Sequence, residues 1–288
     1  MELQKIAEQR ICVMLSLNTN ITSLIVQKNL AKATRGLNIA IEQLTTGYKL
    51  NHAKDNPANY ALMRQYEAKL NAWNVAQDNM SIGNNLLETA SDSASLIENH
   101  IIRIRDLCMQ ASNGTYSKNS INAIKAEIQG RLDEIDRIRG STEFNGIKLF
   151  GNIDEDGNVE EQNINIQVGI DSSPSSRITI DTSLNIPDLK EFKDIDITNP
   201  STLNKLDNML SQLSSYQVKI GASQNRIEYA LDFAEVNINN LTSSLSTIRD
   251  ADIAKVSSDF IRYQILQQAC ATLLATANQM PSLALQLI

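Results

Sequence analysis

The side chains best suited to covalent or metal chemistry are the cysteines and histidines, and their spacing favours neither kind of site. Cys12, Cys108 and Cys270 are an odd number at scattered positions, which argues against a disulfide framework. His52 and His100 lack an HExxH motif or a second ligand at metal-site spacing. The sequence also has no nucleophile elbow or phosphate-binding loop. We therefore predict no enzyme, no metal site and no cofactor, and interpret Cys108 and Cys270 as small apolar residues of packed helix stripes.

The composition narrows the class of protein further. The chain has 288 residues, a formal net charge of −7 and only 5% aromatic residues. An acidic chain is a poor partner for nucleic acid, because binding there depends on cationic contacts to phosphates. With few large rings to fill a globular centre, the composition favours long helices packed along seams. The first twenty residues lack a sustained apolar segment and a cleavage site, so cleavage-dependent export is not expected.

The last segment, QILQQACATLLATANQMPSLALQLI at 264–288, contains no charged side chain. A membrane-spanning helix needs roughly 20 mostly apolar residues. This segment carries many amides and hydroxyls and is interrupted by Pro281, so we do not expect membrane insertion. Its apolar residues instead recur at alternating steps of three and four, with Gln267 as the polar break, which is typical of a coiled-coil seam. The seam consists of Ile253, Val256, Phe260, Tyr263, Cys270, Leu274 and Ala277.

Similar periodicity predicts helices over most of the remaining chain. A first helix from Leu17 to about Tyr48 carries the seam Leu30, Leu37, Ile41, Leu44 and Tyr48. It ends before Pro57, which disfavours helix at the preceding residue, and helix resumes near Ala58. The next stripe is Ile82, Leu86, Ala90, Ala94, Ile97, Ile101, Ile104, Cys108 and Ala111, followed by a turn at 112–120. A shorter helix runs through Ile121, Ile124, Ile128, Leu132, Ile135 and Ile138. The last stripe begins at Leu203, passes Leu213, Ile227 and Leu245, and merges into the terminal seam.

Between about Ser141 and Pro200 the pattern changes, and the alternating segments INIQVGI and RITIDTS flank a serine-rich turn segment that contains Pro174. This arrangement predicts a β-hairpin. The expected fold class is mainly α: a long antiparallel helical hairpin or coiled-coil bundle with a small β-hairpin insert. Long seams without enough partners inside the chain imply partners from other molecules. A self-contained helical bundle is the alternative that periodicity leaves open.

The motifs at both ends resemble those of bacterial flagellin, the subunit of the flagellar filament. On the N-terminal side they are SLNTNITSLIVQKNL, LTTGYKLNHAKDNPA, RIRDLCMQASNGT, RLDEIDRI and TEFNGIKLF. On the C-terminal side they are IGASQNRIEYAL, INNL, IRDADIAK and QILQQACATLLATANQMP. They cover about residues 14–150 and 216–288 in family order. The roughly 60 residues between them are enough for a hairpin but not for another domain, which predicts a minimal form without the family's outer variable domains.

The resemblance implies a division of the chain into functional parts. Residues 14–56 and 248–288 would be disordered in the monomer and pair as helices that line the filament core. Residues 57–247 would form an inner α-helical domain with the β-hairpin at about 160–183. Residues 1–13 precede the position where the family starts, at Met14, and are either an extension or a misassigned start. Asn59 stands where many members have glycine, and we expect it to support the same turn.

The resemblance also implies a function and partners. The chain would self-assemble into the helical filament for motility, after export in unfolded form through the flagellar type III apparatus. A secretion chaperone would cover the C-terminal helix, hook-junction and cap proteins would contact the filament ends, and the location would be a secreted, extracellular filament. A hook-to-filament junction protein, a minor subunit and a secreted ligand for host receptors or adhesion are the alternatives.

Two sets of residues are candidates for these roles. For assembly in the filament core we select apolar residues of the two terminal helices: Leu17, Ile21, Leu24, Leu30, Leu37, Ile41, Leu44, Val256, Phe260, Ile265, Leu266, Leu273, Leu274 and Leu287. RIRDLCMQ resembles the stretch that the flagellin-sensing Toll-like receptor recognises, and the matching residues are Arg103, Leu107 and Gln110, with Glu127 on the adjoining helix. We expect filament packing to be the primary role of this second set.

Overall fold

The computed structural model describes residues 19–150, 163–181, 184, 197 and 199–286, with side chains as far as Gln279. In this part of the chain the helices are α1 (Ile21–Thr46), α2 (Pro57–Ala111), α3 (Lys118–Ser141), α4 (Pro200–Arg249) and α5 (Ile253–Gln286). The strands are β1 (Glu143–Phe144), β2 (Ile147–Lys148), β3 (Asn163–Gln167) and β4 (Arg177–Asp181). The predicted fold class, mainly α with a small β-hairpin, is confirmed. Predictions for residues 1–18 and for Leu287 lie outside the described residues.

Capping chemistry sets the limits of α1. The side-chain oxygen of Asn20 accepts a hydrogen bond of 3.0 Å from the backbone N–H of Ser23, which satisfies a donor that the first turn leaves unpaired. The helix ends at Gly47, whose φ of 75° is the left-handed conformation that glycine adopts without strain. The N–H of Gly47 donates to the carbonyl of Gln43 at 2.9 Å. The helix is therefore closed at both ends by its own sequence.

The start of α2 corrects one expectation. Pro57 is its first residue, a position where the missing N–H costs nothing. Asn56 caps the helix by accepting from the N–H of Asn59 at 3.1 Å. Asn59 is thus helical and not a turn residue with positive φ, so that expectation was wrong. The physical reason is the capping Asn56, which draws the following residues into the first helical turn.

Residues Ala68–Thr242 form one compact unit, called the inner unit below, with a continuous apolar core. The predicted stripe of α2 is buried from Leu86 to Ala111 and packs with the stripes of α3 and α4. Ile82 was also assigned to this stripe, but 55% of its surface is exposed. Its neighbour Gly83 faces the hairpin instead, where any side chain would collide with Ile166.

The predicted β-hairpin is present, with β3 and β4 antiparallel and Asn163 opposite Asp181. Inward-facing Ile166, Ile178 and Ile180 join the core of the inner unit, as the alternation requires. A second hairpin, β1 with β2, was not predicted. It turns at Asn145 and Gly146, whose φ values are both positive (51° and 79°), and Asn-Gly is the preferred pair for such a two-residue turn.

Of the described residues, 19–67 and 243–286 form a separate unit, called the terminal unit below. Here the predicted merger of the last two helices was wrong, because α4 ends at Arg249 and α5 begins at Ile253. The side chain of Asp252 caps α5 by accepting from the N–H of Lys255 at 3.1 Å. Pro281 was expected to interrupt the last helix, yet α5 continues to Gln286. The functional division of the chain at 56/57 and 247/248 stays a prediction.

Candidate assembly surface

In the terminal unit, α1 and α5 lie antiparallel and pack through small side chains. Ser23, Ala33 and Ala40 are buried on α1, and Val256 and Ala277 are buried on α5. Small residues let two helix backbones approach closely. The fully buried side chains between α1 and α5 are therefore small.

Gly36 of α1 lies directly against the ring of Tyr263 on α5. A Cβ atom at this position would lie 2.6 Å from ring carbons of Tyr263, a distance at which the ring or one of the two helices must shift. Gly36 therefore works as a notch into which the Tyr263 ring fits. An isolated glycine within a helical pattern is the sequence signal for such a contact, but it does not name the partner.

Polar contacts accompany this seam at defined positions. Gln267, the polar break in the predicted stripe, donates to the hydroxyl of Thr34 at 3.2 Å. Near the other end, Ser23 donates to the side-chain oxygen of Asn278 at 2.9 Å. Both hydrogen bonds are partly buried, and each gives the polar side chains of the seam a partner on the opposite helix.

A short backbone junction holds the pair together beside Gly47. The carbonyl of Gly47 accepts from the N–H of Ala251 at 2.9 Å, and the N–H of Lys49 donates to the carbonyl of Arg249 at 2.7 Å. The guanidinium of Arg249 lies 4.2 Å from the ring centre of Tyr48, within range of a cation–π interaction. This junction fixes where α5 starts relative to the end of α1.

The predicted assembly residues divide into two groups by exposure. Val256 is buried in the α1–α5 seam, where Leu30, Leu37, Leu44, Phe260 and Leu274 are half-buried. A second group faces solvent on the two helices: Ile21, Leu24, Ile41, Ile265, Leu266 and Leu273. Sequence reasoning missed Ile25, Ile39 and Ile261, each of which is more than half exposed. Ile21 with Ile25 and Ile261 with Ile265 stand four residues apart, so each pair shares a helix face.

Comparison with known proteins gives the family. Residues 17–155 match the model of the bacterial flagellin N-terminal helical region, and residues 203–288 match that of the bacterial flagellin C-terminal helical region. The flagellin of Bacillus subtilis (strain 168) is 32% identical, with 94% of this chain and 99% of that protein covered. The chain belongs to the bacterial flagellins. It is accordingly a structural subunit of the flagellar filament.

Other relatives agree with this assignment. The flagellin of Xenorhabdus nematophila is 31% identical, with 94% of this chain and 98% of that protein covered. The "Flagellar filament 33 kDa core protein" of Treponema phagedenis is 28% identical, with 94% of this chain and 99% of that protein covered. These alignments span nearly the whole of each relative.

In the inner unit, the stretch expected to bind a host receptor is only partly at the surface. Arg103 and Glu127 form an exposed ion pair of 3.2 Å, and the amide of Gln110 donates to the hydroxyl of Tyr116 at 2.9 Å. Leu107 is only 2% exposed and belongs to the core. Direct recognition of the Leu107 side chain does not fit this structure, because its helix position faces inward. Recognition of the other three residues stays a prediction.

The residues first considered for chemistry have ordinary packing environments. Burial raises the pKa of the Cys108 thiol from its ordinary value of 9.0 to about 11, which keeps it protonated and unreactive. His52 lies 2.8 Å from a carboxylate oxygen of Glu42 at the surface. Within the described residues, no cluster of three or more His, Cys, Asp or Glu side chains could hold a metal ion. The described helices include none long and apolar enough to cross a membrane.

Proposed function

We propose that the chain self-assembles into the filament by burying the exposed apolar residues of α1 and α5 against neighbouring copies. The observation that carries this proposal is the exposure of Ile21, Leu24, Ile265 and Leu273, each more than half accessible on helices that are already paired. Burying one such side chain contributes roughly 1.5–3 kcal/mol. A row of them in every copy provides a strong driving force for a polymer.

The chemistry of α5 favours protein over lipid as the surrounding medium. Beyond Arg262 the chain carries no charge, but amides and hydroxyls alternate with the apolar residues. Hydrocarbon offers these polar groups no partners. Another helix does, as Thr34 does for Gln267 in the α1–α5 seam. The terminal helices of other copies, which have the same composition, are therefore suitable neighbours.

The same surface explains the partners expected before and after assembly. An exposed apolar helix promotes aggregation in a monomer, so a secretion chaperone would cover α5 until export. Export would proceed in unfolded form through the flagellar type III apparatus, and the polymer would lie outside the cell between hook-junction and cap proteins. Its role in motility is mechanical, and we propose no enzymatic activity. Arg103, Gln110 and Glu127 remain the proposed contact for a host Toll-like receptor.

Electron microscopy of the purified chain after addition of a sulfate salt tests self-assembly, because sulfate strengthens apolar burial. We expect long filaments from the full chain, from a version starting at Met14, or from both. Filaments from the Met14 version alone would identify residues 1–13 as incompatible with the core. Monomers from both would contradict the proposal. Binding only to the ends of existing filaments would favour a junction protein, and receptor binding without any polymer would favour a secreted ligand.

Point variants locate the surface that drives the polymer. We expect Leu273→Ser together with Ile265→Ser to raise the concentration needed for assembly by at least tenfold, since each change removes roughly 1.5 kcal/mol or more of burial. Gln264→Ser is the matched control, an exposed neighbour on the same helix without apolar surface to bury. Equal assembly by the double variant and the control would place the driving surface elsewhere.

A further inference from the structure

The helix α5 contains a proline well inside its length. Pro281 has no N–H, so it cannot donate to the carbonyl four residues earlier, which belongs to Ala277. Ala277 is 8% exposed, and a buried carbonyl without a donor costs the free energy of a lost hydrogen bond. The helix nevertheless continues to Gln286. Something outside α5 has to compensate at this position.

The donor comes from the other end of the chain. The side-chain Nδ2 of Asn20 donates to the carbonyl oxygen of Ala277 at 2.7 Å. The Oδ1 atom of the same amide accepts from the N–H of Ser23 at 3.0 Å and so caps α1. Because one partner is a backbone donor and the other a backbone acceptor, the orientation of the amide is unambiguous. Asn20 therefore satisfies backbone groups of both helices at once.

The apolar seam alone does not select one pairing of α1 with α5. A three-and-four repeat is also satisfied after a slip of seven residues, so the register depends on specific contacts, of which the Gly36 notch and the junction beside Gly47 lie away from this end of the pair. After a slip toward the N-terminus of α5, Asn20 would face the carbonyl of Cys270, which has its helical N–H partner at Leu274. Pro281 is the one proline of α5, so the carbonyl of Ala277 lacks a helical donor whereas that of Cys270, one heptad earlier, has one.

We propose that Asn20 is a register-determining residue: it recognises the carbonyl that Pro281 leaves without a helical donor, and thereby selects the pairing of α1 and α5 used in the filament. Ser23 and Asn278 support the same register one step away. This inference rests on the proposed self-assembly, because the paired terminal helices are the surface that the polymer buries. It also makes the N-cap of α1 dependent on a residue that contacts α5, so the two ends of the chain order together.

A double-mutant cycle tests the proposal. Asn20→Ser keeps a good helix cap but removes the donor that reaches Ala277, and Pro281→Ala restores the helical N–H for the same carbonyl. We expect Asn20→Ser alone to raise the concentration needed for filament assembly about tenfold, because it leaves the carbonyl of Ala277 without a donor. In the Pro281→Ala background the same change should raise it about twofold or less. Asn29→Ser, the same substitution at an exposed site of α1, is the matched control.

Hydrogen exchange provides a readout that does not need a polymer. The structure pairs α1 with α5 within one chain, whereas the family resemblance implies disordered ends in the monomer. Protection of peptides covering 264–279 reports this pairing, and we expect the same dependence of Asn20→Ser on Pro281. Unprotected peptides in the monomer would contradict pairing within one chain, and the cycle would then be measured on filaments. If the parent chain forms no filaments but exchange shows this coupling, the proposed self-assembly fails and the register proposal stands. If filaments form and Asn20→Ser has the same effect with and without Pro281 in both readouts, the register proposal is overturned while self-assembly stands.

Discussion

Leu87 and Ile97 of the inner unit are completely buried, whereas Ile21 and Ile265 of the terminal unit each keep 59% of their surface exposed. All four lie on helices with similar apolar periodicity. The inner unit surrounds its stripes with α2, α3, α4 and the β-hairpin, so its core closes within one chain. In the terminal unit α1 has α5 as its partner, and a pair of helices can cover only one side of each. Periodicity shows which residues require burial, but the number of packed elements decides whether the chain itself provides it.

The largest expected effect comes from removing one half of the terminal pair. Deleting residues 264–288 should abolish polymerisation while the inner unit keeps its helical fold, because none of the described side chains of that segment belongs to the core of the inner unit. Circular dichroism with sedimentation would show a folded monomer. Normal filaments from this truncation would contradict the role of the terminal seam, and loss of helical signal would contradict the independence of the inner unit.

Leucine-to-alanine substitutions, one in each unit, should have different effects on stability and on assembly. Leu87→Ala should lower the free energy of unfolding of the inner unit by about 2–5 kcal/mol, since it leaves a cavity in a closed core. Leu273→Ala, at a site 55% exposed, should change it by less than about 0.5 kcal/mol and instead weaken assembly. Denaturant titration of the monomers and light scattering of the polymers would measure both. If both variants lowered the free energy of unfolding by similar amounts, the two units would not differ in how they bury leucine side chains.

Alanine substitutions of two glycines, one in each unit, should have smaller effects of opposite sign. Gly36→Ala should weaken the α1–α5 pair, because the new methyl group would meet the Tyr263 ring, and the filaments should dissociate at lower temperature. Gly130→Ala, in α3 with no atom within 4 Å of the added carbon, should stabilise the inner unit by about 0.5–1 kcal/mol through helix propensity. A filament dissociation temperature unchanged by Gly36→Ala would show that the seam is more loosely packed than the structure has it.

A last prediction concerns the dependence of the inner unit on alkaline pH. The pKa of Cys108 is about 11 in the folded chain against an ordinary value of 9.0, because burial disfavours the thiolate. A pKa raised by folding contributes stability below pH 9 that is lost as pH rises from 9 to 11. Denaturant titrations at pH 8 and 10.5 should show this loss, and Cys108→Ala should reduce it. An equal loss in Cys108→Ala would assign the effect to other groups, such as Tyr216, whose pKa burial also raises.

Much of the fold could be predicted from local sequence. The apolar stripes of α2, α3 and α4 were assigned largely to the correct residues, and the alternation on either side of the serine-rich turn located β3 and β4. The errors arose where a cap or a side-chain contact competed with periodicity. Asp252 started a new helix where the stripe predicted continuity, and Gly83 rather than Ile82 faced the hairpin. Asn145-Gly146 carried a recognisable turn signal that predicted β1 and β2 but was overlooked.

The candidate surface was predictable only in part. The apolar residues of both terminal helices could be selected from the sequence, but their division into a half-buried seam and an exposed face could not, because both groups have helical spacing. Leu107 was selected for a surface role from its place in a motif, and the structure placed it in the core. Motif position identifies a stretch of helix, whereas the direction of each side chain depends on what the helix packs against.

The sequence by itself determined which segments are helical, where they are capped and which residues need burial, since periodicity, capping side chains and glycine act within a few positions of the chain. Only the tertiary structure decided that Gly36 receives Tyr263 and that Asn20 meets the carbonyl of Ala277, 257 positions away. The physical reason is that a repeat of three and four permits several registers with similar apolar burial. Selecting one of them requires a specific contact between distant residues, and no local pattern encodes which residues will meet.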